Sequence, residues 1–136
     1  MIIVIDTNVL VSGLLNPHGA PGRIMSLVAA GEITLCYDAR ILDEYRQVLR
    51  YEKFRFDQAH AANLIDEIQS SGIPVAAKPL RCALPDRDDE KFLEVAIAGR
   101  VEALVTGNSK HYKTRSSLTV KILAPSEALK LIAAEH

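Results

Sequence analysis

Apolar positions along the chain fall into two rhythms, short unbroken runs and longer stretches at helical spacing, and the two alternate. The first run, Ile2-Ile3-Val4-Ile5, has no polar position, which marks a strand buried on both faces in the middle of a parallel sheet. It stops on Asp6-Thr7-Asn8; Val9 to Leu15 then continue apolar until Asn16-Pro17-His18-Gly19 breaks the chain. Pro21 suits the first turn of a helix over Gly22 to Ala30, with Gly31 as its stop. Ile33 to Tyr37 predicts a second strand. Asp38 then caps a helix from Ala39 to Arg50, whose Ile41, Leu42, Tyr45, Val48 and Leu49 form one stripe. Asp57 caps another helix, which runs to Ser71 and ends at Gly72, and Ile73 to Ala76 reads as a short strand. An irregular segment from Lys78 to Arg87 precedes a helix from Asp88 to Ala98, stopped by Gly99. Ala103 to Thr106 and Val120 to Leu123 are further strands, and Pro125 opens a terminal helix with Ser126 as its cap. This alternation predicts an α/β fold: one domain over residues 1–136, a parallel sheet with helices on both faces and the Ile2–Ile5 strand central.

Composition narrows the chemistry. With 136 residues the chain suits one core, and 49% hydrophobic content describes an ordinary globular protein. A net charge of −1 gives no global attraction for nucleic acid or acidic membranes, so a polyanion would need a local basic patch or a bound metal. Cys36 and Cys82 form no metal-binding spacing, and His18, His60, His111 and His136 are scattered, so zinc is not expected. No apolar run approaches the ~20 residues of a membrane span and no basic leader is seen, so a cytoplasmic location is expected.

The carboxylates separate by direction. Asp6 ends a buried strand, where an open α/β sheet keeps its ligand crevice, and a charge there needs a cation or hydrogen-bond donors. The bland alternative is that it merely caps a helix that starts at Thr7. At about 100° per residue, Asp43 points away from its helix's stripe while Glu44 sits on the flank beside Val48. On the later helix, Asp89 falls near the centre of the face formed by Phe92, Leu93, Ala96 and Ile97, with Asp88 to one side. The helix dipole offsets part of that charge, and a cation would offset more; the bland alternative is that Asp88 caps this helix and Asp89 only complements its dipole. Asp86 lies just upstream. Oxygen ligands without His or Cys select a hard cation, Mg²⁺ or Mn²⁺, and an acidic metal-charged pocket suits phosphodiester hydrolysis.

These segments, in this order, carry a resemblance. Ile2-Ile3-Val4-Ile5-Asp6-Thr7-Asn8-Val9, Ile41-Leu42-Asp43-Glu44-Tyr45, Asp86-Arg87-Asp88-Asp89-Glu90-Lys91-Phe92-Leu93-Glu94-Val95-Ala96, Leu104-Val105-Thr106-Gly107-Asn108 and Ile122-Leu123-Ala124-Pro125 together resemble a PIN-domain ribonuclease, the toxin component of type II toxin–antitoxin pairs. The resemblance implies a three-layer α/β/α sandwich and Mg²⁺- or Mn²⁺-dependent cleavage of single-stranded RNA. It also implies a homodimer and an antitoxin partner. It maps catalytic, metal-binding carboxylates onto Asp6, Glu44 and Asp89, and a fourth metal position, usually Asp, onto Asn108. Asn108 offers a carbonyl oxygen without charge, and Asp86 and Asp88 are candidate compensating ligands. Thr7, Asn8 and Thr106 match site-orienting positions.

RNA would need basic and aromatic contacts near the carboxylates. Two stretches qualify: Arg46 to Phe56, and Lys110-His111-Tyr112-Lys113-Thr114-Arg115. The second follows the Asn108 turn, which favours Lys110, Lys113 and Arg115 for phosphate contacts. Met25, Leu27 and Val28 read as core or dimer surface. The alternative readings are a PIN fold that binds a metal or a partner without cutting, and an acidic-site phosphohydrolase. A haloacid-dehalogenase-type enzyme would want Asp where Asn8 stands, and no Gly-rich phosphate loop is present.

Overall fold

The computed structural model describes residues 1–114 and 119–135. Five strands, β1 (Ile2–Ile5), β2 (Thr34–Tyr37), β3 (Ile73–Pro74), β4 (Ala103–Val105) and β5 (Lys121–Leu123), form one sheet in the order β3-β2-β1-β4-β5. Every pairing is parallel, so β1 is central as its unbroken apolar run requires. Ile3, Val4 and Ile5 are wholly buried. Among the described residues six α-helices accompany the sheet: α1 (Thr7–Leu15), α2 (Ala20–Ala29), α3 (Ala39–Leu49), α4 (Gln58–Ser71), α5 (Arg87–Ala98) and α6 (Pro125–Glu135). The result is a three-layer α/β/α sandwich. The path steps outward from β1 to β2 and β3, then returns through α5 to β4 on the other side of β1. Right-handed crossovers therefore put α5 on the face opposite α1 and α2, and the direction of winding reverses between β1 and β4. That reversal is where an open parallel sheet leaves a crevice.

The helix starts follow local chemistry. Asp6, Asp38 and Asp57 accept hydrogen bonds from Val9, Ile41 and Ala59 backbone N–H groups, capping α1, α3 and α4. Helix α5 begins one residue earlier than its sequence pattern predicts, because Asp86 caps it by accepting from Asp88 N–H at 2.9 Å. Helix α6 also begins earlier, at Pro125, so Ser126 lies inside its first turn; Glu127 reaches back to accept from Ala124 N–H. Two glycines are fixed by the fold. Gly31 adopts φ +78° in the turn into β2, and a methyl group on Gly22 would stand 2.3 Å from the Pro17 carbonyl oxygen where α1 and α2 meet.

Two glutamates of α5 order the irregular segment before it. Glu94, buried beneath Arg40 at 2.7 Å, accepts from Leu80 N–H, and Glu90 accepts from Leu84 N–H. Loop backbone groups that would otherwise lack partners are thereby satisfied. Met25 and Val28 are buried and Leu27 is half-buried, so this stretch serves the core. No helix of the described residues is long and apolar enough to cross a membrane.

Candidate active site

The reversal of winding between β1 and β4 brings Asp6 and Thr106 together, one residue past the end of each strand. Asp6 N–H donates to Val105 C=O at 3.1 Å and Thr106 N–H to Leu123 C=O at 2.9 Å, which extends the sheet to this rim. Asp6 is 5% exposed. Its Oδ1 accepts from Val9 N–H and its Oδ2 from the Thr106 hydroxyl. The capping and site readings of Asp6 are thus compatible, because each oxygen serves one of them. Burial raises the Asp6 carboxyl above its ordinary value against the pull of these two donors, and the charges of Asp89 and Glu44 raise it further.

Glu44 leans in from the middle of α3. Tyr45 beside it is 1% exposed and donates to Ile5 C=O at 2.6 Å, which locks the helix over the end of β1. Glu44 accepts from the Thr7 hydroxyl through Oε2 and pairs with Lys91 Nζ through Oε1 at 2.8 Å. Lys91 also donates to Asp88 C=O at 2.5 Å and stands 4.9 Å above the Phe92 ring. Nothing in the sequence reading singled Lys91 out. The available signal was its place on α5, two residues after Asp89 and on the border of the apolar face.

Asp89 enters from the first turn of α5. Its Oδ1 receives a long contact, 3.5 Å, from the Tyr112 hydroxyl. Its Oδ2 is buried and receives no hydrogen bond among the described residues; the His111 ring nitrogen stands 3.5 Å from it, at ion-pair distance. Burial and then the neighbouring Asp86 charge raise the Asp89 carboxyl, opposed by His111, Tyr112 and Lys91. Tyr112 itself is wholly buried and senses all three carboxylates. Its phenol is pushed far up, by burial first and then by Asp6, Asp89 and Glu44. It stays protonated, a fixed donor beneath the site.

Other expected site residues are placed elsewhere. Asp86 is exposed and its Oδ1 is committed to capping α5, while the Asp88 side chain is exposed and only its carbonyl meets the site, through Lys91. Neither carboxylate joins the cluster. Asn8 is exposed in the first turn of α1 and bonds to none of the carboxylates among the described residues. Asn108 is exposed, and its backbone N–H donates to the Thr106 hydroxyl at 3.0 Å, so it touches the site through Thr106. Lys110 and Lys113 are exposed at the 3-10 turn Ser109–Tyr112 that follows, and Arg115 lies outside the described residues. Tyr112, grouped with them as an RNA contact, belongs to the core; the turn folds inward and fills the space below Asp89.

A hard divalent cation is tested by this donor set. The donors are all oxygen, one buried carboxylate oxygen receives no hydrogen bond among the described residues, and Asp6 is repelled by both Asp89 and Glu44. In chemistry the residues fit. As arranged, Glu44 is committed to Thr7 and Lys91, and among the described residues no three His, Cys, Asp or Glu side chains are grouped to hold a metal. A metal held here would have to compete with Lys91 for Glu44.

Residues 2–110 match a family model described as PIN domain. An uncharacterized protein of Methanocaldococcus jannaschii is 25% identical over 138 residues, which cover 94% of this chain and 89% of that protein. With a central parallel sheet, a carboxylate at its winding reversal and a family match over four-fifths of its length, the chain belongs to the PIN domain family, a nuclease-type fold.

Proposed function

We propose that this protein is a metal-dependent ribonuclease that cleaves single-stranded RNA, acting as the toxin of a toxin–antitoxin pair. The observation that carries the reading is the buried, undonated Oδ2 of Asp89 beside two further carboxylates. Such a group destabilises a fold unless a cation meets it. Asp6, Asp89 and Glu44 would hold Mg²⁺ or Mn²⁺, Thr106 and Thr7 orienting Asp6 and Glu44 by donating to them. When bound, the metal supplies an activated water and stabilises charge developing on phosphate. Tyr112 holds Asp89 from below, and Lys91 keeps Glu44 compensated until it is needed. The test is incubation of purified protein with a long single-stranded RNA in Mg²⁺ or Mn²⁺, against an EDTA control. Fragments that appear equally in both arms would exclude a metal-dependent reaction.

Asn108 favours a second reading, a site too weakly charged to cut well. It stands at the rim with a neutral side chain where the resembling enzymes carry a carboxylate. Asn108→Asp is expected to tighten Mn²⁺ binding and to lower the metal concentration needed for cleavage. A calorimetric titration indistinguishable from the parent's would show that position 108 contributes no charge to the site.

The proposed toxin acts as a C2 dimer opposed by an antitoxin protein. Light scattering is expected to give twice the 14.9 kDa chain mass at micromolar concentration. A monomer throughout that range would remove the dimer, and absence of a co-transcribed small DNA-binding protein would remove the toxin role while sparing the nuclease.

A further inference from the structure

The turn after α3 concentrates what a single strand of nucleic acid recognises. Tyr51 and Phe54 stack with ring centroids 6.2 Å apart and planes at 18°, and Phe54 and Phe56 at 5.4 Å and 28°. The inner end of this ladder, Phe56, packs on the core, while Tyr51 at the outer end is 48% exposed. Lys53 Nζ lies over both Tyr51 and Phe54, 5.9 and 5.0 Å from their centroids. Of the three rings only Tyr51 is exposed, Phe54 and Phe56 being half-buried, so Tyr51 is the ring that another flat ring can reach.

Charge points the same way. Between positions 46 and 57 stand Arg46, Arg50, Lys53 and Arg55 against Glu52 and Asp57, in a chain whose net charge is −1. Asp57 spends its Oδ1 on capping α4. Arg50, Lys53 and Arg55 enter no ion pair among the described residues, and Arg55 holds a left-handed backbone (φ 52°) that few non-glycine residues adopt. Arg46 and Arg50, one helical turn apart, border a hollow of about 210 Å³ between α3 and α4. Arg50 lies six residues beyond Glu44, about 9 Å along the helix axis. At about 100° per residue Arg46 lies roughly 200° round α3 from Glu44, on the α4 side where it donates to Gln69, so the arginines and rings form a patch of their own beyond the end of α3. The stretch 110–115, by contrast, loses its one aromatic to the core.

We propose that the Tyr51–Phe54–Phe56 ladder, with Arg50 and Arg55, is a stacking platform for the bases of single-stranded RNA, holding the strand outside the carboxylate site. The identification of RNA rests on the nuclease reading; the platform itself does not need cleavage. Stacking on exposed rings tolerates any base, so the platform confers grip on length without sequence preference.

The test is fluorescence anisotropy of a labelled 20-nucleotide single-stranded RNA in EDTA, where no metal-dependent cleavage occurs. Tyr51→Ala should weaken binding about tenfold or more, and Tyr51→Phe should restore it. Arg50→Ala and Arg55→Ala should each lower the slope of log affinity against log salt by about 0.7. Equal affinities and slopes for parent, Tyr51→Ala and the arginine variants would overturn the platform, whether or not the parent cuts RNA in Mg²⁺. Loss of self-association in Tyr51→Ala with RNA affinity intact would also overturn it and assign the surface to a second copy of the chain. Tight binding by a parent that does not cut in Mg²⁺ or Mn²⁺ would support the platform and defeat only the nuclease reading.

Discussion

Asp89→Asn is expected to lower RNA cleavage by at least about 100-fold and to leave the metal-free protein as stable as the parent or more so. Loss of a partner that merely supports a metal ligand typically costs about 10–100-fold, and Asp89 is proposed as a ligand itself. The stability half of the expectation follows from competing terms. A carboxylate in the first turn of a helix gains roughly 0.3–1 kcal/mol from the dipole. Against this stand the undonated Oδ2 and repulsion by Asp86 and Asp6. The capping contribution belongs to Asp86, so it survives the substitution.

The pH dependence has a definite sign. Asp89 binds its proton more tightly folded than at its ordinary value of 3.8, so the native state holds more protons than the unfolded state between those two pKa values. Its contribution to stability therefore falls as pH rises through that window, and the full cost remains above it. Melting curves of parent and variant in EDTA should nearly coincide at the acidic end and separate in the variant's favour toward neutrality. Added Mn²⁺ should reverse the order by stabilising the parent more. A variant that is less stable at every pH and still cuts RNA would take Asp89 out of the site.

Tyr112→Ala should produce the largest loss of stability among the residues beneath the site, about 3–5 kcal/mol, because a wholly buried ring leaves a cavity. For a domain of this size that is roughly a 10–18 °C fall in melting temperature. Tyr112→Phe keeps the ring and removes only a 3.5 Å contact to Asp89, so its cost should stay below about 1 kcal/mol. Cleavage should nonetheless drop in Tyr112→Phe, since the donor that holds Asp89 is gone. If the Phe variant melts as low as the Ala variant, the hydroxyl rather than the ring anchors this corner.

The fold was legible wherever one residue type has one use. An unbroken β-branched run has few alternatives to a central strand, and the aspartate caps form as read at Asp38, Asp57 and, as one of its two roles, Asp6, whereas Asp86 takes the place of Asp88 and Ser126 lies inside α6. Asp89 was singled out by counting rotations, because a carboxylate on an apolar face is a local contradiction; Asp6 stood out as the end of a buried run, and Glu44 only by its flank position beside Val48. What escaped was non-local. Asp86 caps α5 because the loop before it is pinned by Glu90 and Glu94, and those bonds run between segments that periodicity treats separately. Lys91 has the same helical address as any flanking lysine until Glu44 arrives from α3. Tyr112 sat among charged residues, and only the inward fold of its turn distinguishes a core ring from a base contact.

The hydrogen bond between Thr106 and Asp6 spans a hundred residues of chain. On a ribosome adding about 5–20 residues per second, roughly 5–20 s pass between the appearance of the carboxylate and that of its hydroxyl partner. Through that interval β1 lacks the neighbouring strand β4, and Asp6 lacks its donor from the far side. A nascent chain that stops before Thr106 carries Asp6 with its Val9 cap but without the hydroxyl that holds its second oxygen, so the two sides of the rim are joined only once β4 has been made.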